Sequence, residues 1–362
     1  MNLIYPMFAM FLLSAFVLVR LFLARVSAVR QGEVALDYYR LYQGAVEPRR
    51  SAQLARHFAN LFEAPVLFYA VCLAGATTHR DALSLTVLAW CYVAVRIAHA
   101  WVHLPTNPDA QPPPGSMPPL LVGVHGGPTW RASAEYSLDV QYWTTRGFAV
   151  ADVDYRGSTG YGRTFRQLLN GQWGVVDVED AAAVARHLAG EGLVDPRRMA
   201  IRGGSAGGLT TLLATMLDDA FAAGVSYFGV VDMAALMADT HKFESRYLDT
   251  IVGPMPDAAA AVRDRSPITH VDRAHTPTLV MQGLEDAVVP PAQAEAIVAA
   301  LSERGVPHAY LPFAGEQHGF RMAETQIRAL EAELSFYAGV FGFTPADQLE
   351  PLELKFAENL GR

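Results

Sequence analysis

The sequence predicts an all-α membrane segment of about three transmembrane helices over residues 1–104, followed over residues 118–343 by an α/β unit with a mostly parallel, doubly wound sheet. Three observations carry this. Long uncharged runs are concentrated before residue 104, residues 105–119 hold seven prolines without apolar periodicity, and strand-like and helix-like segments alternate from there on. A length of 362 residues agrees with two units. A composition of 51% hydrophobic against 18% charged residues is too apolar for an ordinary cytosolic enzyme. The net charge of −8 gives no general attraction to nucleic acid, and no nucleic-acid partner is expected. The only cysteines, Cys72 and Cys91, lie in apolar runs, which excludes a disulfide framework and reads as inert packing.

The first element is the run NLIYPMFAMFLLSAFVLVRLFLA, residues 2–24, whose single charge is Arg20 near its end. About 20 apolar residues cross a bilayer as a helix, and Arg20 can extend toward the interface. Early basic residues and a cleavage site, the marks of a removed leader, are not evident. Two further spans are expected at 58–78, with Asn60 and Glu63, and at 82–104, with Arg96, His99 and His103. Helical spacing sets Arg56, Asn60 and Glu63 on one face and Arg96, His99 and His103 on another. Polar stripes within spans turn toward a bundle interior, because lipid cannot satisfy them. The first loop carries Arg25, Arg30, Arg40, Arg49, Arg50 and Arg56, whereas the second has only His79, Arg80 and Asp81. That asymmetry orients the first loop to the cytoplasm, and with three spans it does the same for the carboxy-terminal unit.

MNLIYPMFAM, DYYRLYQGA, RHFANLFEAPVLFY and VRIAHAWVHL together resemble bacterial members of the membrane-associated eicosanoid and glutathione metabolism (MAPEG) family, over about residues 1–104. The resemblance implies a homo-oligomer, with Arg56, Asn60, Glu63, Arg96 and His99 at the polar positions of a site that binds glutathione in some members. It also implies four spans, and here PTNPDAQPPPGSMPP stands where the fourth would begin. The polar residues therefore have two readings: a glutathione site, or side chains that join helices.

Residues 105–117 read as an extended, proline-rich linker. Beyond it, strands are expected at 119–124, 148–153, 198–202, 223–230, 277–282 and 308–313, and helices near 134–146, 177–190, 206–218, 291–304 and 321–341. This alternation is that of a mostly parallel sheet covered on both faces. Residues 344–362 read as a tail.

Chemistry is carried first by RMAIRGGSAGGLTTLLATML. A β-like run enters Gly203-Gly204-Ser205-Ala206-Gly207 and a helical pattern leaves it, which is the nucleophile elbow of the α/β-hydrolase fold in its strand–turn–helix setting. A serine hydroxyl needs a base to take its proton, and the base needs a carboxylate to fix its tautomer. In this fold the order is Ser, then Asp or Glu, then His. Asp286 in LVMQGLEDAVVP and His318 in LPFAGEQHGF each follow a strand, where such sheets gather their sites. Glu285 adjoins Asp286 but fits the turn less well. Asp272, His270 and His275 precede their strand, and His308 begins one. After the first strand, His125-Gly126-Gly127-Pro128 offers backbone donors, so the amides of Gly127 and Ala206 are the expected oxyanion hole. His125 is read as supporting that loop rather than as a second base. No metal or organic cofactor is called for.

HGGP, DYRGSTGYGR, GGSAGG, GLEDAVVPPAQA and GEQHGF together resemble the catalytic domain of the prolyl oligopeptidase family, nearest to its acylaminoacyl-peptidase and dipeptidyl-aminopeptidase-like members, over about residues 118–343. The resemblance implies peptide-bond hydrolysis in short substrates through an acyl-enzyme. A carboxylesterase with the same triad is the alternative. Tyr155 and Arg156 are expected in the pocket wall. Arg246, in THKFESRYLD, is expected either to bind substrate or to pair with Glu244 or Asp249. Family members usually carry a propeller that screens substrates by size; here the membrane segment stands in its place.

Overall fold

The computed structural model describes residues 3–41, 48–78, 83–103, 117–133, 135–239 and 246–361. Two compact units divide the chain, Met1–Pro108 and Asp109–Arg362. The proline-rich stretch lies outside the described residues, apart from Met117.

The amino-terminal unit is helical: α1 Ile4–Arg30, a single turn α2 Tyr38–Leu41, α3 Arg49–Thr77 and α4 Leu83–His103. The three long helices form where three spans are expected. α3 starts well before residue 58, because Leu54, Phe58 and Leu61 keep helical spacing through a charged stretch that interrupts the apolar run. Met10, Val17, Leu61, Phe68, Cys72 and Val93 form the interior, and Phe8, Phe22, Leu67 and Leu88 stay exposed on the outside. Among the described residues, Ile4–Arg30 and Gln53–Thr77 are long and apolar enough to cross a membrane; the apolar part described in α4, Leu83–Ala98, is shorter.

The carboxy-terminal unit is a six-stranded sheet in the order β2-β1-β3-β4-β5-β6, parallel throughout. The strands are β1 Leu120–Val124, β2 Ala149–Val153, β3 Met199–Gly204, β4 Ala223–Tyr227, β5 Thr278–Gly283 and β6 His308–Phe313. Period-two alternation divides their side chains between two apolar layers. Leu120, Val122, Val124 and Ile201 pack with Leu209 and Ala181. Leu121, Ala200, Val225 and Met281 pack with Trp143, Phe336 and Tyr337.

Between the strands run α5 Leu138–Thr144, α6 Arg163–Gln167, α7 Val176–Gly190, α8 Ala206–Leu217, α9 Met233–Asp239, α10 Tyr247–Ile251, α11 Ala259–Asp264 and α12 Pro291–Glu303, and α13 Ala323–Phe341 follows β6. Most expected elements appear within a few residues of their limits. β4 is shorter than 223–230, because Phe228 turns to a positive φ of 38° and ends it. α5 begins at the Ser137 cap, whose side chain accepts from Val140 N. The tail packs onto the sheet: Leu349, Leu352 and Leu354 join the layer of Trp143, and Lys355 exchanges two backbone hydrogen bonds with His308.

Strand order reverses beside β1, where the chain steps outward to β2 and returns to β3. The crevice at such a switch point is where parallel sheets place their ligands. Behind it, fully buried Asp177 on α7 accepts from the Thr210 hydroxyl on α8 and from Gly174 N. Burial pushes the Asp177 carboxyl up to about 6, against those hydrogen bonds. Protonation therefore favours the folded state: this stability is complete below the unfolded value of 3.8 and lost as pH rises through about 6. Relative to Asp177→Asn, the wild type should gain on the order of 3 kcal/mol on acidification across that window. Unfolding curves of both proteins at a series of pH values check this, and a constant difference would remove the assignment.

Candidate active site

The elbow is built by close approach. Ser205 sits between β3 and α8 at φ 57° and ψ −119°, a conformation that non-glycine residues adopt only when their surroundings impose it. A Cβ on Gly203 would lie 2.4 Å from the Gly207 carbonyl oxygen, and one on Gly207 would lie 2.3 Å from that of Val124. Both glycines therefore let the turn close onto β1. Ser205 N donates to the Tyr227 carbonyl at 3.0 Å, and the Ser205 carbonyl accepts from Gly208 N and Leu209 N.

Three distant side chains meet here. Ser205 Oγ is 2.9 Å from His318 Nε2, and His318 Nδ1 is 2.8 Å from Asp286 Oδ2. The pattern places the proton on Nδ1, donated to the carboxylate, and leaves Nε2 to accept from the serine. Asp286 Oδ1 accepts from Val288 N and Val289 N at 2.8 and 2.9 Å. Burial raises the Asp286 carboxyl, but the His318 hydrogen bond and these amides outweigh it and hold it below the usual carboxylate range. Glu285, its neighbour, is exposed.

Several residues that the sequence reading did not single out complete the site. Buried Gln282 at the end of β5 donates its amide to Asp286 Oδ2 at 3.3 Å and to the carbonyls of Gly283 and Val289. Glu316, 2% exposed, accepts from Arg321 N and Met322 N at 2.9 Å and closes the loop that carries His318. A carboxylate two residues before the histidine, in a loop bounded by glycines, was the available signal. Trp173 lies in a cavity of about 610 Å³ beside Ser205, with Gly127, Val230, Tyr247 and Val289.

Gly127 and Ala206 also line that cavity. Among the described residues, neither amide donates within the protein's turn and cap hydrogen bonds. Gly127 holds φ 119°, where an added Cβ would meet Thr129 N at 3.0 Å. His125 supports this loop: its Nδ1 lies 2.8 Å from the Gly126 carbonyl and its Nε2 2.7 Å from Ser158 Oγ.

The structure moves Tyr155 out of the pocket wall expected for it, and of the two roles expected for Arg246 it shows the pairing with Asp249. Tyr155 is buried at 1% exposure, and its hydroxyl donates to the carbonyls of Pro128 and His125. It props the glycine loop from behind instead of facing substrate. Arg156 turns to Asp180 and Glu179. The Arg246 side chain is 90% exposed and pairs with Asp249 at 2.9 Å, so it points to solvent; Glu244 lies outside the described residues. In the amino-terminal unit, Arg96 donates to Asn60 Oδ1 at 2.7 Å and joins α4 to α3. The side chains of Arg56, Glu63 and His99 lie outside the described residues.

Comparison with known proteins identifies relatives of each unit. The prolyl oligopeptidase family model matches residues 134–344, more than half of the chain. The MAPEG family model matches residues 3–123, a span that runs beyond residue 104 into β1. Dipeptidyl aminopeptidase BIII of Pseudoxanthomonas mexicana is 34% identical over 212 residues, 57% of this chain and 31% of that protein. The acylamino-acid-releasing enzyme of Arabidopsis thaliana is 32% identical over 226 residues, 59% of this chain and 29% of that protein. Among solved structures, a puromycin-hydrolyzing peptidase of Mycobacterium tuberculosis is 52% identical with a TM-score of 0.67, over 69% of this chain and 38% of that one. The chain thus spans about a third of the length of the curated relatives it matches. The MAPEG match and the two long apolar helices associate the amino-terminal unit with membranes.

Gly207→Ala should cost about 3 kcal/mol or the elbow itself, since backbone atoms of β1 occupy the space of the new methyl group. Denaturant unfolding and labelling by a fluorophosphonate probe measure both. Wild-type stability and labelling would contradict the packing argument.

Proposed function

The chain belongs to the prolyl oligopeptidase family, and from that premise we propose that residues 118–343 form a serine peptidase domain that cleaves short peptides through an acyl-enzyme. The observation that carries this is the unbroken hydrogen-bonded relay from Ser205 Oγ through His318 to Asp286 at the rim of the cavity. Ser205 Oγ attacks the scissile carbonyl while His318 Nε2 takes its proton. Asp286 fixes the imidazole tautomer and balances the imidazolium. The amides of Gly127 and Ala206 stabilise the tetrahedral oxyanion. His318 then protonates the leaving amine, and water repeats the sequence to release the acid.

The acyl side chain enters the cavity beside Ser205, where Trp173, Val230, Leu236, Leu248 and Val289 favour an apolar or aromatic residue. The likeness to a peptidase named for hydrolysing puromycin adds puromycin to the substrates for testing. A carboxylesterase would use the same relay, so substrate preference separates the two readings.

The remaining parts of the proposal concern the amino-terminal unit. Residues 1–104 anchor the chain as a multi-pass segment, 105–117 act as the linker, and 344–362 follow the catalytic domain. The arginines of the first loop support a cytoplasmic catalytic domain. Family resemblance supports a homo-oligomer. The Arg96–Asn60 hydrogen bond favours helix joining over glutathione binding as the work of these two residues. Glutathione binding to the full chain in detergent, lost on Arg96→Ala, would reverse that preference.

Ser205→Ala should abolish fluorophosphonate labelling and leave the unfolding curve in place; persistent labelling would refute the nucleophile. Asp286→Asn should lower kcat by about 10⁴-fold, and a loss below about 10-fold would displace it from the relay. On acyl-peptide p-nitroanilides, kcat/KM should be higher for phenylalanine or leucine than for aspartate at the acyl position. Turnover of p-nitrophenyl esters without any anilide or peptide would establish the esterase reading instead.

A further inference from the structure

We infer that Phe228 is a positioning residue that holds the His318 imidazole against Ser205, in a wall that borders two cavities. The inference rests on the reading of Ser205, His318 and Asp286 as the catalytic relay.

Phe228 follows β4 directly and has φ 38°, one of three non-glycine residues with positive φ among the described residues. Glycine would adopt that conformation without strain, and a bulky side chain there is kept only when its surroundings impose it. The surroundings do so on both sides. Phe228 N donates to the Met281 carbonyl at 2.7 Å. Preceding Tyr227 is tied through its hydroxyl to buried Glu333. Following Gly229 lies so near α8 that a Cβ on Gly208 would come within 2.5 Å of its Cα. The backbone is thus fixed, and it aims the ring at the relay.

The ring meets His318 edge-on, with centroids 4.9 Å apart and planes at 63°. It also meets Phe320, two residues past the histidine, at 5.3 Å, and Phe320 packs on Phe313 of β6 at 4.8 Å. These aromatics close one flank of the loop that carries His318. On the other flank, Gly204 gives way: a Cβ there would come 3.0 Å from the Phe228 ring. Phe228 borders both cavities, the apolar one of about 610 Å³ and a second of about 410 Å³ that includes Asp139, Asp152 and Arg202.

Such a wall has a specific consequence. His318 Nε2 serves two atoms in turn, the serine oxygen and then the leaving nitrogen. The hydrogen bond to Asp286 leaves the imidazole free to swing about that contact, and the Phe228 ring limits the swing. A peptide or anilide nitrogen must be protonated to leave, whereas a p-nitrophenolate leaves without a proton. Loss of the ring should therefore injure amide cleavage more than cleavage of the activated ester, even though both acylate Ser205.

The test compares the wild type, Phe228→Gly and Phe228→Leu on an anilide and a p-nitrophenyl ester that share one acyl group. Phe228→Gly relieves the backbone strain and removes the ring. It should lower kcat for the anilide about 100-fold with KM nearly unchanged, as expected for a general acid moved off line, and lower kcat for the ester less than about 10-fold. Phe228→Leu keeps part of the bulk and should fall between, which also decides the matter if the glycine variant does not fold. A wild-type anilide-to-ester ratio in whichever variant folds would overturn the inference. Failure of the relay itself would appear separately, as fluorophosphonate labelling that survives Ser205→Ala.

Discussion

The elbow at Ser205 is the constraint on which the site depends. A serine at φ 57° stores strain on the order of 1–3 kcal/mol, and here backbone contacts hold it, not a bulky side chain. Gly203 faces Gly207 across the turn, and Gly207 faces the Val124 carbonyl of β1. The turn therefore forms only where β1 and β3 lie side by side, at the switch in strand order. That adjacency sets the glycine loop after β1 on one side of Ser205. It also leaves β5 and β6 to deliver Asp286 and His318 from the other.

The relay depends on rigidity at two levels. Val288 N, Val289 N and Gln282 hold the Asp286 carboxylate, while Glu316 closes the following loop through Arg321 N and Met322 N. Both are buried polar groups with their partners in place, which is how such groups rigidify a structure instead of weakening it. A deeper ion pair, Arg202 with Glu333 at 3.2 Å, ties α13 to β3 just ahead of the elbow.

Much of this was legible in the sequence because it depends on period and punctuation. Six apolar runs gave six strands, and Gly203, Ser205 and Gly207 marked the turn between strand and helix. Asp286 and His318 were legible as residues that follow strands, and the structure brings both to Ser205. What was not legible depends on tertiary packing. The end of β4 at Tyr227 follows from a backbone conformation that a phenylalanine does not advertise. The helices between β4 and β5 span only five to seven residues each, too short for a periodic signal. Tyr155 looked like a pocket residue because its motif adjoins the site, yet its hydroxyl found the carbonyl groups of the glycine loop. For Arg246 the pairing with Asp249, three residues on, was one of the two readings the sequence left open, and it is the one the structure shows.

The two backbone bonds between Lys355 and His308 also bear on where the chain can be cut. β6 is an edge strand, and this bridge pairs its first residue, whose amide and carbonyl would otherwise be open to any extended segment in solution. A protein ending near residue 343 would keep every group of the relay but expose that edge together with the apolar surface now covered by Leu349, Leu352 and Leu354. Its characteristic failure would be self-association through strand addition, with the chemistry still intact in each molecule.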